Sequence, residues 1–145
     1  MRPIYFLLAG ALAVTACSQE VTKTASVNQT TTEQTQNATG QDVKTISTDE
    51  AKTVLETEKD LVVLDVRTPE EYAGGHLQNA VLINKYDSDF EAKIKALDRE
   101  KPYLVYCASG VRSGQAKEMM KALGFKKVYD AKGFEGLKAA GVPVE

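Results

Sequence analysis

From residue 43 onward, short β-rich runs alternate with stretches whose apolar residues repeat at helical spacing, and few folds accept that alternation. It is the pattern of parallel strands joined by crossover helices that cover the sheet. Residues 43–46 form the first strand pattern. Ser47 and Glu50 then make a capping box, and Ala51, Val54 and Leu55 supply the apolar face of a first helix. Residues 61–66 are a nearly unbroken apolar run, as expected of a strand covered on both faces, which places them centrally in the sheet.

Residues 80–83 read as a third strand, followed by a helix capped by Ser88 and Glu91 whose buried side is Phe90, Ile94 and Leu97. A fourth strand covers 103–106. After a loop, Ala116, Met119, Met120 and Leu123 fall at i, i+3, i+4 and i+7, with Gly124 as the stop. At this spacing the methionine pair is core packing rather than a metal- or partner-binding patch. Residues 127–129 make a last strand, and Phe134, Leu137 and Ala140 a short helix closed by Gly141 and Pro143. The expectation is a compact α/β/α sandwich of about 100 residues, spanning 42–145, around a five-stranded, mainly parallel sheet.

The net charge of −2, with acids and bases interspersed, supplies no basic field for phosphates, so nucleic acid is not expected as a partner. No group of histidine, cysteine and carboxylate has metal-ligand spacing, so neither a metal nor another cofactor is expected.

The first sixteen residues follow a different logic. Arg2 gives a positive start, an apolar run covers 4–14, and small residues lead to Cys17, the outline of an export signal. The run is shorter than the roughly 20 residues that cross a bilayer. Its end, Val14-Thr15-Ala16-Cys17, resembles the lipobox of bacterial lipoproteins. That resemblance implies lipidation of Cys17, removal of residues 1–16 and anchoring in the cell envelope, since several acyl chains bind a membrane firmly. The alternatives are an ordinary cleaved signal, leaving Cys17 a free thiol, and an uncleaved anchor helix. Ser18, where an aspartate would favour the inner membrane, leans towards the outer membrane facing the periplasm.

Residues 17–41, rich in Thr, Gln, Asn and Ser, hold too little apolar surface to offset ordering entropy and read as a tether reaching about 25–30 Å. The acceptor patterns at Asn28 and Asn37 are part of that composition.

The chemistry is concentrated in Cys107-Ala108-Ser109-Gly110-Val111-Arg112-Ser113, where a parallel strand ends and a helix begins, the place where open α/β sheets bind ligands. A cysteine there faces successive backbone N–H groups and a helix N-terminus carrying about half a positive charge, which favour the thiolate. Gly110 lets the backbone approach the sulfur, and Arg112 adds a permanent cation suited to an oxyanion such as thiosulfate.

This loop resembles the active-site loop of the rhodanese family. So do Asp65-Val66-Arg67, Glu70-Glu71-Tyr72, Gly75-His76-Leu77 and Ala80 upstream, and Gly133-Phe134 and Gly141-Val142-Pro143 downstream. The resemblance implies sulfurtransferase activity. Cys107 takes a sulfane sulfur from a small donor, thiosulfate or a persulfide, and passes it to a thiol or cyanide-like acceptor. Ala108, Ser109, Gly110, Val111 and Ser113 border the persulfide, and Arg112 orients an anionic donor; apart from the resemblance, a monomer is expected. Gln78 and Asn79 stand where proline and glycine are common, Lys132 replaces a glycine, and Leu137 a frequent tryptophan.

Four residues separate Cys107 from Arg112, a loop sized for sulfur, whereas cysteine phosphatases use five to enclose phosphate. Phosphatase or arsenate reductase activity is therefore the more distant alternative, and a non-catalytic persulfide carrier or partner-binding domain the nearer one. His76 is read as a hydrogen-bonding residue rather than a general base, because a thiolate activated by its loop needs none. Asp65 and Arg67 are read as a supporting ion pair, with substrate contact as the alternative, and Glu70 and Glu71 as candidates for solvated loop charges. With Cys17 lipidated, Cys107 has no intramolecular disulfide partner.

Overall fold

The structure, a computed structural model, describes residues 40–145. The export signal, Cys17 and all but the last residues of the tether lie outside that range. Ten elements follow in order: β1 (Asp42–Thr45), α1 (Thr48–Thr57), β2 (Val62–Asp65), α2 (Pro69–Ala73), β3 (Val81–Leu82), α3 (Phe90–Lys95), β4 (Pro102–Cys107), α4 (Val111–Ala122), β5 (Lys127–Gly133) and α5 (Phe134–Ala139). The five strands pair in the order β1-β5-β4-β2-β3, and every pairing is parallel.

Strand periodicity sends alternate residues to two separate cores. Val63, Leu104, Tyr106, Tyr129 and Ala131 pack with Ala51 of α1 and with Phe134 and Leu137 of α5. Leu64, Tyr103, Val105 and Val128 pack on the other face with Phe90 and Ile94 of α3 and Ala116 and Met120 of α4. The result is the expected three-layer sandwich. Each large apolar side chain buried in it contributes roughly 1.5–3 kcal/mol.

The Ser47–Glu50 capping box forms in both directions. Helix α4 ends in a Schellman turn: Gly124, at φ 87°, donates to Lys121 O, and Phe125 N donates to Met120 O. The Gln41 side chain, at the junction with the tether, donates to the Lys121 and Phe125 carbonyls and closes the same helix end.

Three expectations are corrected. The central strand is β4, all six residues of which are buried; β2 is interior but lies next to edge strand β3. Its apolar run reports two covered faces, which any interior strand has. The cap at Ser88 and Glu91 does not form. Helix α3 starts from Asp89 without a side-chain cap, because the preceding turns carry the chain in and Phe90 N donates to Asp87 O. Residues 69–73, read only as a family motif with loop charges, form α2, whose Thr68–Glu71 capping box and Pro69 were present in the sequence.

Candidate active site

β4 delivers Cys107 to the carboxyl end of the central strand, and α4 begins four residues later. Gly110 is the N-cap of α4, at φ 98° and without a side chain, so the amides of the first turn have no internal cap. The amides of Ser109, Gly110 and Ser113 face the sulfur instead. Gly110 N donates to Cys107 Sγ at 3.0 Å, and the thiol reaches Ser113 Oγ at 3.6 Å; that hydroxyl also donates to Gly110 O. Burial pushes the Cys107 thiol up, but the backbone and hydroxyl of Ser113 and the amides of Gly110 and Ser109 outweigh it. The net shift is downward, towards the thiolate.

The loop is held from below. A register shift after Val105 sets Cys107 beside Gly133, where an added Cβ would lie 2.8 Å from Ala108 O. Gly110 also packs closely on Lys132: a Cβ added at Gly110 would lie 3.2 Å from the Lys132 Cβ. Lys132 itself adopts φ 65°, and its amide donates to the buried carboxylate of Asp130.

Arg112 projects from the first turn of α4 onto Glu71 of α2. The contact is a two-pronged fork, Nη1 to Oε2 at 2.7 Å and Nη2 to Oε1 at 2.8 Å. Glu71 also caps α2 by accepting from Thr68 N, so one carboxylate ties α2 to the loop. The Arg112 hydrogen bonds hold the Glu71 carboxyl at about 2, and the same pairing raises the guanidinium. The Arg112 guanidinium carbon lies over the Tyr86 ring, 5.4 Å from its centroid.

Behind the loop lies a buried polar network. Arg67 Nη2 and Nε grip Asp65 at 2.7 and 2.9 Å, and Arg67 Nη2 also donates to Gly75 O. Tyr106, the residue before the cysteine, donates to Asp65 Oδ2 at 2.6 Å and accepts from Leu77 N. Burial, then Asp65, push the Tyr106 phenol upward, so it stays a donor. His76 stacks on Tyr72, with ring centroids 3.6 Å apart, and its nitrogens face Tyr72 O and the Glu145 carboxylate. That geometry belongs to a brace between α2 and the chain's last residues.

A cavity of about 250 Å³ opens beside the loop, lined by Arg67, Glu71, Gly74, Gly75, Ala108, Phe134 and Glu135. The structure thus gathers Cys107, Ala108, Ser109, Gly110, Arg112 and Ser113 around one turn, with Asp65 and Arg67 against it. Val111 points outward and is 65% exposed. Sequence reasoning missed the pairing of Glu71 with Arg112, the role of Tyr106 and the tight packing at Gly133.

The Rhodanese-like domain family profile matches residues 47–140, about two thirds of the chain. The chain belongs to the rhodanese family. This rhodanese domain is 35% identical over 86 residues to thiosulfate sulfurtransferase GlpE of Coxiella burnetii, covering 59% of this chain and 78% of that protein. It is 34% identical over 74 residues to thiosulfate sulfurtransferase PspE of Escherichia coli, covering 51% and 71%. Among solved structures it is similar to a rhodanese-related protein from Thermoplasma volcanium, with a TM-score of 0.61 and 32% identity over 70% of this chain and 97% of that one. A rhodanese-like domain protein from Staphylococcus aureus gives a TM-score of 0.57 and 33% identity, covering 65% and 90%.

The departures of this rhodanese domain from the family pattern have physical readings. Asn79 and Lys132 occupy left-handed backbone, at φ 61° and 65°, where glycine is the unstrained choice. Leu137 is fully buried in the α5 face. Gln78 and Asn79 line a larger cavity, of about 320 Å³, with Lys52, Leu55 and Val142; no residue of the cysteine loop borders it.

Proposed function

We propose that this domain is a sulfurtransferase in which Cys107 accepts a sulfane sulfur and hands it to a thiophilic acceptor. The observation that carries the reading is the Gly110 amide 3.0 Å from Sγ, backed by Ser113 and the start of α4. The ionised thiol attacks the outer sulfur of a donor R–S–SH or S–SO₃²⁻. One S–S bond forms on Cys107 as the donor's breaks, and the donor leaves as a thiolate or as sulfite. Attack by cyanide or a thiol on the outer sulfur then releases Cys107 as thiolate, so no external oxidant is needed. Amides that stabilise the thiolate also stabilise a persulfide anion in the same turn. The names of the two relatives described above, thiosulfate sulfurtransferases GlpE and PspE, support this chemistry.

We further propose that the protein acts in the bacterial envelope, anchored through Cys17. The support is the sequence Val14-Thr15-Ala16-Cys17 after an apolar run.

The test uses the full chain carrying Cys17→Ser, so that one thiol remains. Given thiosulfate or a hydropersulfide together with cyanide, it should form thiocyanate, and Cys107→Ser should abolish this. Mass spectrometry should find one added sulfur on Cys107 in the absence of cyanide. Sulfur on Cys107 without turnover would establish the carrier instead, and release of phosphate from an aryl phosphate would replace the proposal with the phosphatase reading.

A further inference from the structure

Lys132 stands in left-handed backbone, at φ 65°, one residue before the glycine that pairs with Cys107 across the sheet. A side chain costs stability in that conformation and glycine does not, and such outliers gather where a side chain serves the site. The stem of Lys132 lies against Gly110: a Cβ added there would sit 3.2 Å from the Lys132 Cβ and 3.6 Å from its Cγ. Gly110 N is itself 3.0 Å from Cys107 Sγ. An ammonium carried on a four-carbon stem from that point has the mouth of the loop within reach.

The other cations around the loop are engaged. Arg112 has both prongs taken by Glu71, and Arg67 is closed on Asp65. Lys85 lies over the Phe90 ring and Lys138 over the Phe134 ring, 4.8 and 6.0 Å from the centroids. Asp130 is buried and accepts from Lys132 N and the Thr45 hydroxyl, and Glu135 is an exposed carboxylate on the cavity wall. With Glu70 of α2, these residues are five cations and five carboxylates, so the pull on an anion comes from where each charge stands and not from their sum. Among the described residues, the Lys132 ammonium has no ion-pair, hydrogen-bond or ring partner, and its side chain is exposed.

Resting on the sulfurtransferase reading, we infer that Lys132, rather than Arg112, is the specificity-determining cation of this site, receiving the sulfonate oxygens of thiosulfate and then the departing sulfite. Arg112 instead holds α2 on the loop through Glu71. In the transfer, the Cys107 thiolate forms an S–S bond to the outer sulfur of S–SO₃²⁻ as the donor's own S–S bond breaks. The electron pair of that bond leaves with sulfite, which carries two negative charges, and the persulfide keeps one. Lys132 bonds to neither reacting sulfur, and no proton or external oxidant enters the step.

The full chain with Cys17→Ser is loaded in single turnover with subsaturating thiosulfate, and sulfur on Cys107 is followed by mass. Alkylation of Cys107 by neutral iodoacetamide, run beside it, reads the nucleophile alone. A dianion about 5 Å from one ammonium in water-like dielectric is concentrated roughly fifteenfold, and about fivefold once physiological salt screens it. Lys132→Gln and Lys132→Gly should therefore each slow thiosulfate loading about fivefold at physiological salt and more at low salt. Lys132→Arg, which keeps the charge, should cost less than about twofold, and iodoacetamide rates should stay within about twofold throughout. Lys132→Gly should load more slowly although it is the more stable protein, which separates lost charge from lost fold. Lys101→Gln, just before β4 begins at the far end of the sheet, makes the same change in net charge and should leave loading unchanged. Unchanged thiosulfate rates in Lys132→Gln and Lys132→Gly, an equal loss in Lys138→Gln or Lys101→Gln, or a parallel loss of iodoacetamide reactivity would overturn the inference and leave the sulfurtransferase reading intact. So would a parent loaded by a hydropersulfide but not by thiosulfate. A parent loaded by neither donor would overturn both.

Discussion

The hydroxyl of Tyr106 lies 2.6 Å from Asp65 Oδ2, joining β4 to β2 one residue before the nucleophile. The same oxygen accepts from Leu77 N, so the phenol links the sheet to the segment that carries His76. Tyr106→Phe leaves the Leu77 amide without its acceptor in a buried site. A loss of about 2 kcal/mol is expected, measured as a lower urea midpoint at unchanged slope.

Gly133 and Gly114 should respond in opposite directions to the same methyl group. A Cβ at Gly133 meets the Ala108 carbonyl at 2.8 Å, so Gly133→Ala must displace the cysteine loop. It should cost about 1–3 kcal/mol and slow sulfur loading. At Gly114, inside α4, the nearest atom is Asp130 Oδ2 at 3.7 Å, an ordinary contact. Gly114→Ala should stabilise by about 0.5–1 kcal/mol, because helix interiors penalise glycine. Chemical denaturation of the two variants checks both signs.

Lys132 holds a left-handed conformation in which its N–H donates a hydrogen bond to Asp130 Oδ1. Lys132→Gly removes the Cβ strain and should raise the denaturation midpoint, with a net gain of about 1 kcal/mol.

Glu71 links stability to acid. Its carboxyl is held at about 2 by Arg112, below its unfolded value. A carboxylate lowered on folding contributes its stability in full above the unfolded value and loses it as pH falls through the folded one. The Arg112 pair is part-exposed, so its contribution, screened by solvent, is about 1–2 kcal/mol. Between about pH 4.5 and 2 the parent should therefore lose this increment, and Glu71→Gln should not. Unfolding midpoints across that window supply the comparison.

What was legible in the sequence was whatever local spacing encodes. Ala51, Ala116 and Met120 announced their buried helix faces, Gly124 its helix end, and Ser47 with Glu50 a cap, because each depends on residues a few positions apart. Cys107, Gly110 and Ser113 were legible for the same reason, lying on one turn. Glu71 and Arg112 are 41 positions apart, as are Asp65 and Tyr106, and only the pairing of β2 with β4 brings them together. A carboxylate that reads as a solvated charge thus becomes the partner of the loop arginine. The failed cap at Ser88 shows the limit of local pattern too: the backbone turns at 84–90 satisfied the helix start before any side chain was required.

The ionisation of Cys107 is the quantity on which sulfur chemistry here depends. It can be read from the ultraviolet absorbance of the thiolate, titrated in the full chain carrying Cys17→Ser, with Cys107→Ser as the blank. The loop geometry requires a midpoint clearly below the value of about 8.5 found for a free cysteine. A midpoint at or above that value would mean that the amides of Gly110 and Ser113 do not overcome burial, and the proposed reaction would lose its nucleophile.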